Sequence, residues 1–403
     1  MGAGDKQPQT TRLSRIHPYP AMIADDLAIR IAVKHVWPGS SVLDPFCGTA
    51  RTLYAAARVG GECFGIDVNP LAVLIAQAKG VRKLPAMPEI DVRANRHDSS
   101  SMFHLQPGRK VKWFSEPVER ELNALIRWIN SLRVEKRTVV ALACILSATV
   151  RDVSFCRKRQ WKLHRMPGEA RSAFRPSALK VFRHRLNAVS EALDKQPWSY
   201  GVTVGRGDAK VLSAALSTLK MPMSYDVVFT SPPYGDSRST VGYGGISSIC
   251  LGVLRHLRHL GLSFQTGQEI DNSCLGGLRT HEFTQKDTAK YWKGDLATSE
   301  GAKVSAFLED LTLSCQQIAA VSHIGTKAIL VVSRRCVRRR RVYIDHFLLD
   351  RLKQHGFALV ERSLRRIDCK NTPRVINRKA RGKVKDRTRT MEHEFLLVFE
   401  KAR

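Results

Sequence analysis

Residues 226–236 read Asp-Val-Val-Phe-Thr-Ser-Pro-Pro-Tyr-Gly-Asp, a buried strand brought to a stop. Val227, Val228 and Phe229 form the short β-branched and aromatic run of a strand inside a parallel sheet. Pro232 and Pro233 have no N–H to donate, so strand pairing ends there. Ser231, two rigid prolines and Tyr234 therefore sit at the carboxyl end of a strand. In open α/β sheets that edge is where ligands bind. The prolines fix the backbone so that its carbonyls can face a ligand, and Tyr234 offers a flat face for stacking. A Ser hydroxyl beside a fixed carbonyl suits an exocyclic amino group, which has two hydrogens to donate. The plainer alternative is a strand followed by a Pro-rich turn.

The charge balance narrows the partner. Lys and Arg number 66 against 36 Asp and Glu, a formal charge of +30. Such an excess points to a polyanion, most simply nucleic acid, bound with strong salt dependence. An anionic membrane surface is the competing partner, but no apolar run is long enough to span a bilayer. The polar residues 1–15 read as a flexible basic tail rather than a signal peptide. The nine cysteines are scattered and form no CxxC pair, so neither a zinc site nor a disulfide framework is indicated. Cys47, Cys63, Cys144 and Cys250 lie in small or apolar surroundings, as reduced core residues of a cytoplasmic protein would.

Taken in order, residues 16–23 are held extended by prolines and precede an amphipathic helix over 24–35. A strand over 41–44 ends in Asp44 and breaks at Pro45-Phe46-Cys47-Gly48. A helix over 50–59 follows, then a strand over 63–66 ending in Asp67, then a helix to residue 79. This is a βαβ unit whose first turn lets a ligand approach the backbone at a helix N-terminus. Asp67 is placed to accept hydrogen bonds from ribose hydroxyls, or simply to cap a helix. Between 80 and 198 the sheet pattern gives way to helical spacing, with a basic stretch at 156–165 around Trp161. Arg157, Lys158, Arg159 and Trp161 would suit phosphate contacts; a solvated basic loop is the alternative. The sheet resumes over 202–208, ending in Asp208. Residues 235–300 carry few sheet signals, and 236–244 read as a mobile loop over the site. A helix over 304–321, a strand over 327–332, a helix over 343–355 and strands over 357–362 and 394–399 complete the sheet. Residues 371–390 read as a Lys/Arg-rich loop.

Three segments in a consistent order resemble the S-adenosylmethionine-dependent amino-methyltransferases of DNA. His17-Pro-Tyr19-Pro20-Ala21 is similar to the segment that closes over the methionine end of the cofactor. Asp44-Pro45-Phe46-Cys47-Gly48 is similar to the cofactor loop, and Thr230-Ser231-Pro232-Pro233-Tyr234 to the catalytic motif. The resemblance covers roughly 16–80 and 200–400. It implies an α/β fold, a Rossmann-like seven-stranded methyltransferase sheet with an inserted, mostly helical subdomain. The catalytic domain would comprise 16–80 and 200–403, with 81–199 inserted as a target-recognition region. S-adenosylmethionine would be held by Asp44 at its ammonium, Asp67 at its ribose and Asp208 near its adenine. Ser231 goes with transfer to N4 of cytosine. Double-stranded DNA would be the partner, with a cognate restriction endonuclease as a second. Arg238, beyond the motif, is a candidate base reader. The family loop continues Gly-x-Gly; here Ala50 replaces the second Gly. Ala fits if that residue is already helical, and Arg51 fits if its side chain points outward.

Three alternatives stay open. An N6-adenine DNA or RNA methyltransferase shares the Pro-Pro-Tyr logic. A non-enzymatic nucleic-acid-binding protein would explain Ala50-Arg51. A Rossmann-type dehydrogenase is disfavoured by the Ser-Pro-Pro-Tyr turn and the missing G-x-G-x-x-G.

Overall fold

The computed structural model describes residues 13, 16–92, 112–157, 163–194, 201–236, 241–263, 265–277, 285–367, 375–380, 383–389 and 391–403. The chain begins with α1 (Asp25–His35), β1 (Ser41–Asp44), α2 (Arg51–Ala57), β2 (Glu62–Asp67) and α3 (Pro70–Ala78). Four helices follow: α4 (Glu116–Ser131), α5 (Lys136–Val153), α6 (Gly168–Ala173) and α7 (Ala178–Asp194). The sheet resumes with β3 (Val202–Arg206), α8 (Leu212–Thr218) and β4 (Tyr225–Thr230).

Beyond β4 the stretch with few sheet signals is largely helical, with α9 (Tyr243–Leu254), α10 (Gly267–Ser273) and α11 (Gln285–Tyr291). Of the loop expected over 236–244, residues 237–240 lie outside the described residues and 243–244 open α9. Residues Ile246, Ile249, Cys250, Val253 and Leu254 are all buried at helical spacing. Interleaved Gly and Ser blur that stripe in the sequence. The remainder is α12 (Ser299–Ala320), β5 (Ser322–Val332), a short hairpin of β6 (Cys336–Val337) and β7 (Arg340–Arg341), α13 (Ile344–Gln354), β8 (Phe357–Arg366), β9 (Val375–Ala380), β10 (Lys383–Arg389) and β11 (His393–Lys401). The expected loop at 371–390 thus contains two antiparallel strands, β9 and β10, paired with each other.

Among the described residues, seven strands form one sheet in the order β3-β2-β1-β4-β5-β11-β8. The first five run parallel, and β11 enters antiparallel between β5 and β8. Alternation along each strand feeds two cores. Leu43, Ile66, Val228, Ala328 and Leu330 pack under α8, α12 and α13, while Val42, Cys63, Val227, Phe229 and Ile329 pack under α1 and α2. The helices α4, α5 and α7 share a third core with α3 and α9, so the helical body is built onto the sheet rather than set apart from it. No helix of the described residues is long and apolar enough to cross a membrane.

This strand order fixes the site. After β1 the chain winds outward to β2 and β3, then returns to pair β4 on the other side of β1. The carboxyl ends of β1 and β4 therefore flank the topological switch point, where the sheet opens a crevice.

Candidate active site

Asp44 joins the two sides of the crevice. It is buried, and its Oδ1 accepts from Thr230 Oγ1 at 2.6 Å and from Phe46 N at 2.9 Å. Its Oδ2 accepts from Thr52 Oγ1 on α2. One carboxylate thus ties the end of β1, its own loop, α2 and the end of β4. Burial raises its carboxyl to about 6, against the pull of those donors. Its oxygens are already engaged inside the protein, so its first role is to hold the loop in shape.

The loop itself is a tight left-handed turn. Gly48 has φ +51°, and a Cβ there would meet nothing within 4 Å, so the backbone faces open space. Ala50 has φ +61° and ψ 34°, which overturns the expectation that it is already helical. A bond from its N–H to Cys47 O at 2.6 Å closes the turn, and that turn demands the left-handed region. A non-glycine residue pays about 1–2 kcal/mol for it. Arg51 is not turned outward either. Its Nη1 donates to Ile23 O at 2.8 Å and its Nε lies 3.5 Å from Asp25 Oδ1, stitching α2 to the start of α1. Behind the loop, Lys79 is buried and donates Nζ to Thr49 O at 2.5 Å. Desolvation brings this lysine down to about 7.

Asp67, half-buried at the end of β2, accepts from Gly48 N at 2.9 Å and Asn69 N at 2.8 Å, and burial raises it to about 6. It therefore faces the same turn as Gly48. Cys47 N bonds Ile66 O at 3.0 Å, its Cβ lies against Gly65 of β2, and desolvation pushes its buried thiol well up, so it stays neutral. Asp208 caps the turn after β3 through Lys210 N at 2.9 Å and lies 3.2 Å from Lys210 Nζ.

Tyr19 and Pro20 come to the same edge. Tyr19 stacks on Tyr243 of α9, centroids 5.8 Å apart, and its hydroxyl accepts from Asn69 Nδ2 at 2.9 Å. The same Nδ2 reaches Ser247 Oγ at 3.0 Å, while Asn69 Oδ1 caps α3. His17 anchors this segment to α5: Nε2 meets Ser147 Oγ at 2.9 Å, and desolvation lowers the imidazole to about 3, so it stays neutral. Asn69 and Tyr243 were missed in the sequence. An Asn before Pro70 is a plain capping signal, and its second partners lie 50 and 178 residues away.

On the β4 side, Ser231 Oγ lies 3.0 Å from Tyr234 OH and donates to Val331 O at 3.1 Å. Pro232 is buried and Pro233 half-buried. Burial and the nearby Glu394 carboxylate push the Tyr234 phenol up, so it stays protonated. The motif is clamped from behind. Arg335 Nη1 donates to Asp236 Oδ1 at 2.8 Å, both buried, and the guanidinium crosses Gly235. A Cβ on Gly235 would fall 1.8 Å from Arg335 Nη1. Gly235→Ala is therefore expected to displace the guanidinium and destabilise the fold by about 3–5 kcal/mol, as broken buried ion pairs do. Denaturant unfolding checks this, and an unchanged midpoint would show that Arg335 relocates without loss.

The nucleic-acid candidates are mostly outside the described residues: Lys158, Arg159, Trp161 and Arg238 all are. Arg157 is exposed, and its backbone N–H bonds His164 O at 2.8 Å where Cys156 bridges Arg165. Leu163, at the base of that basic stretch, backs onto Gly245 of α9, two residues from Tyr243.

Over 96% of its length the chain is 25% identical to Type II methyltransferase M.MvaI of Kocuria varians, of which it covers 90%. The chain is a methyltransferase related to the type II DNA methyltransferases. Shorter stretches match Type II methyltransferase M.MjaII of Methanocaldococcus jannaschii, 32% identical over 18% of this methyltransferase and 13% of that protein, and ribosomal protein L11 methyltransferase of Thermus thermophilus, 34% over 14% and 22%. No protein-family model matches. Among solved structures, rRNA methyltransferase aviRa from Streptomyces viridochromogenes overlaps with TM-score 0.33 at 12% identity, covering 96% of this chain and 91% of that one. TrmN from Thermus thermophilus overlaps with TM-score 0.29 at 13% identity, covering 97% and 51%. Overlaps so loose carry no argument, and the fold rests on the sheet order. S-adenosylmethionine is the methyl donor of this methyltransferase. The open backbone at Gly48 beside the Asp67 carboxylate suits a cationic nucleoside.

Proposed function

We propose that this methyltransferase acts on duplex DNA and methylates the N4 amino group of a cytosine turned out of the helix. The observation that carries the reading is the juxtaposition across the switch point. A Ser-Pro-Pro-Tyr turn with a Ser hydroxyl set against Tyr234 stands beside the Gly48 loop, and the Asp44–Thr230 bond joins the two. The full-length similarity to a type II methyltransferase supports DNA as the substrate, and so does the charge of +30.

Asp67 and the backbone of Gly48 would hold S-adenosylmethionine, with Tyr19 and Pro20 covering it and Asp208 at its far end. When bound it supplies a methyl group on a sulfonium, already electrophilic. The protein's part is to prepare the nucleophile, the amino nitrogen of the base, whose lone pair is delocalised into the ring and which gives up one proton as it takes the methyl group. Ser231 Oγ and the Pro232 carbonyl would accept the two amino hydrogens and favour a tetrahedral nitrogen. Tyr234 would stack on the base, which has to leave the duplex for its amino group to be reached. No covalent intermediate with the protein is needed; rate comes from positioning and fixed dipoles. In a host, such methylation would protect a site from a cognate restriction endonuclease.

The test is expression in cells lacking DNA methylation, followed by nucleoside analysis of their DNA. N4-methylcytosine is expected, and sharply reduced with Ser231→Ala. N6-methyladenine instead would overturn the choice of base. Unmodified DNA with methylated RNA would overturn the choice of polymer.

A further inference from the structure

The basic hairpin of β9 and β10 has no part in the sheet or in the reaction as described above. Its two strands pair antiparallel, from Lys383 against Ala380 to Arg389 against Val375, and join no other strand among the described residues. From Arg374 to Arg389 the sequence holds eight Lys or Arg and one acid, Asp386, in sixteen residues. Half of the positions in this short ribbon are thus cationic, far denser than the chain's average.

Its placement follows from strand direction. β4 and β5 are parallel with Thr230 beside Leu330, so the end of β5 lies at the edge that carries Ser231–Tyr234. β11 runs the other way, with Phe395 opposite Val332, and so begins at that edge. His393 pairs with Arg366, the last residue of β8, and Ser333 Oγ holds His393 O at 2.6 Å. The chain therefore leaves β8 and returns to β11 at one point on the catalytic edge, and β9 and β10 lie between.

We infer that β9 and β10 form a nucleic-acid-binding ribbon that grips the DNA duplex beside the catalytic crevice. A two-stranded ribbon fits the major groove, and a segment this rich in lysine and arginine carries the charge that the groove's phosphates attract. A membrane surface would also take positive charge, but the ribbon's root on the catalytic edge favours the polymer on which that edge acts. The inference rests on the reading of DNA as substrate and adds the element that holds it.

The test is the variant Arg378→Gln/Lys379→Gln/Lys383→Gln/Lys385→Gln, with Lys383→Glu/Lys385→Glu as a second. Duplex DNA affinity is measured over a range of salt, alongside S-adenosylmethionine affinity and thermal unfolding. The plot of log affinity against log salt should flatten by about 3–4 for the quadruple variant, near one per lost phosphate contact. S-adenosylmethionine affinity and the melting temperature should be unchanged. Wild-type binding with a steep slope that the variants share would overturn the ribbon and leave the proposed function standing. Absence of duplex binding by the wild type would overturn both together, and nucleoside analysis would then identify which polymer is modified.

Discussion

Ser231→Ala is expected to slow methyl transfer by about 10²–10³-fold, the usual cost of removing one fixed polar contact to a reacting centre. S-adenosylmethionine affinity should stay within about twofold, because Ser231 lies on the β4 side of the crevice. Little stability should be lost, since the half-buried hydroxyl gives up only its bonds to Tyr234 OH and Val331 O. Tyr234 separates two contributions. Tyr234→Phe keeps the stacking ring and loses the hydroxyl that meets Ser231, so a modest fall in kcat is expected. Tyr234→Ala loses the ring, worth about 1–3 kcal/mol of stacking, and should raise the KM for DNA by about 10–100-fold. Steady-state rates with DNA varied at saturating S-adenosylmethionine check the set. A Ser231→Ala enzyme at wild-type rate would remove this hydroxyl from the chemistry.

Asp44 should dominate stability. Asp44→Ala strips the acceptor from Thr230, Thr52 and Phe46 N at once, in a buried site. A loss of about 3–5 kcal/mol is expected by denaturant unfolding. Asp44→Asn should behave differently. Its oxygen can accept from Phe46 N and Thr230, and its amide can donate to the Thr52 hydroxyl, which accepts as readily as it donates. The two should also part with pH. The folded protein holds the Asp44 proton to about 6, above the ordinary 3.8 of an unfolded Asp. The desolvation cost is therefore fully present above pH 6 and disappears as pH falls through 6 toward 4, a span of about 3 kcal/mol. Wild type should gain on Asp44→Asn over that window. Parallel stability curves for the two would mean that Asp44 titrates normally.

Much of this architecture is legible in the sequence because strands of a parallel sheet are short β-branched runs that end in functional loops. Val42-Leu43-Asp44 and Val227-Val228-Phe229 declare themselves in that way, and so do the two loops that meet at the switch point. Helix α9 is hidden because Gly244, Gly245, Ser247 and Ser248 dilute a stripe that tertiary packing nonetheless buries. The ribbon is hidden because a strand of alternating lysines and arginines has no apolar period to detect. The left-handed Ala50 is invisible because nothing in an alanine announces the sign of φ; the loop's closing bond imposes it. The Arg335–Asp236 clamp spans 99 residues, and each partner alone reads as an ordinary surface charge.

The hairpin between β8 and β11 carries a further consequence. Arg366 and His393 are already neighbours in the sheet, so the strands could be joined there by a short turn without moving either. Whatever the chain carries between them is a graft on a finished scaffold. Its sequence can drift, lengthen or be exchanged while the crevice keeps its shape. On the role inferred for the ribbon, replacing that one segment would change how the duplex is held, with the methyl-transfer chemistry inherited intact.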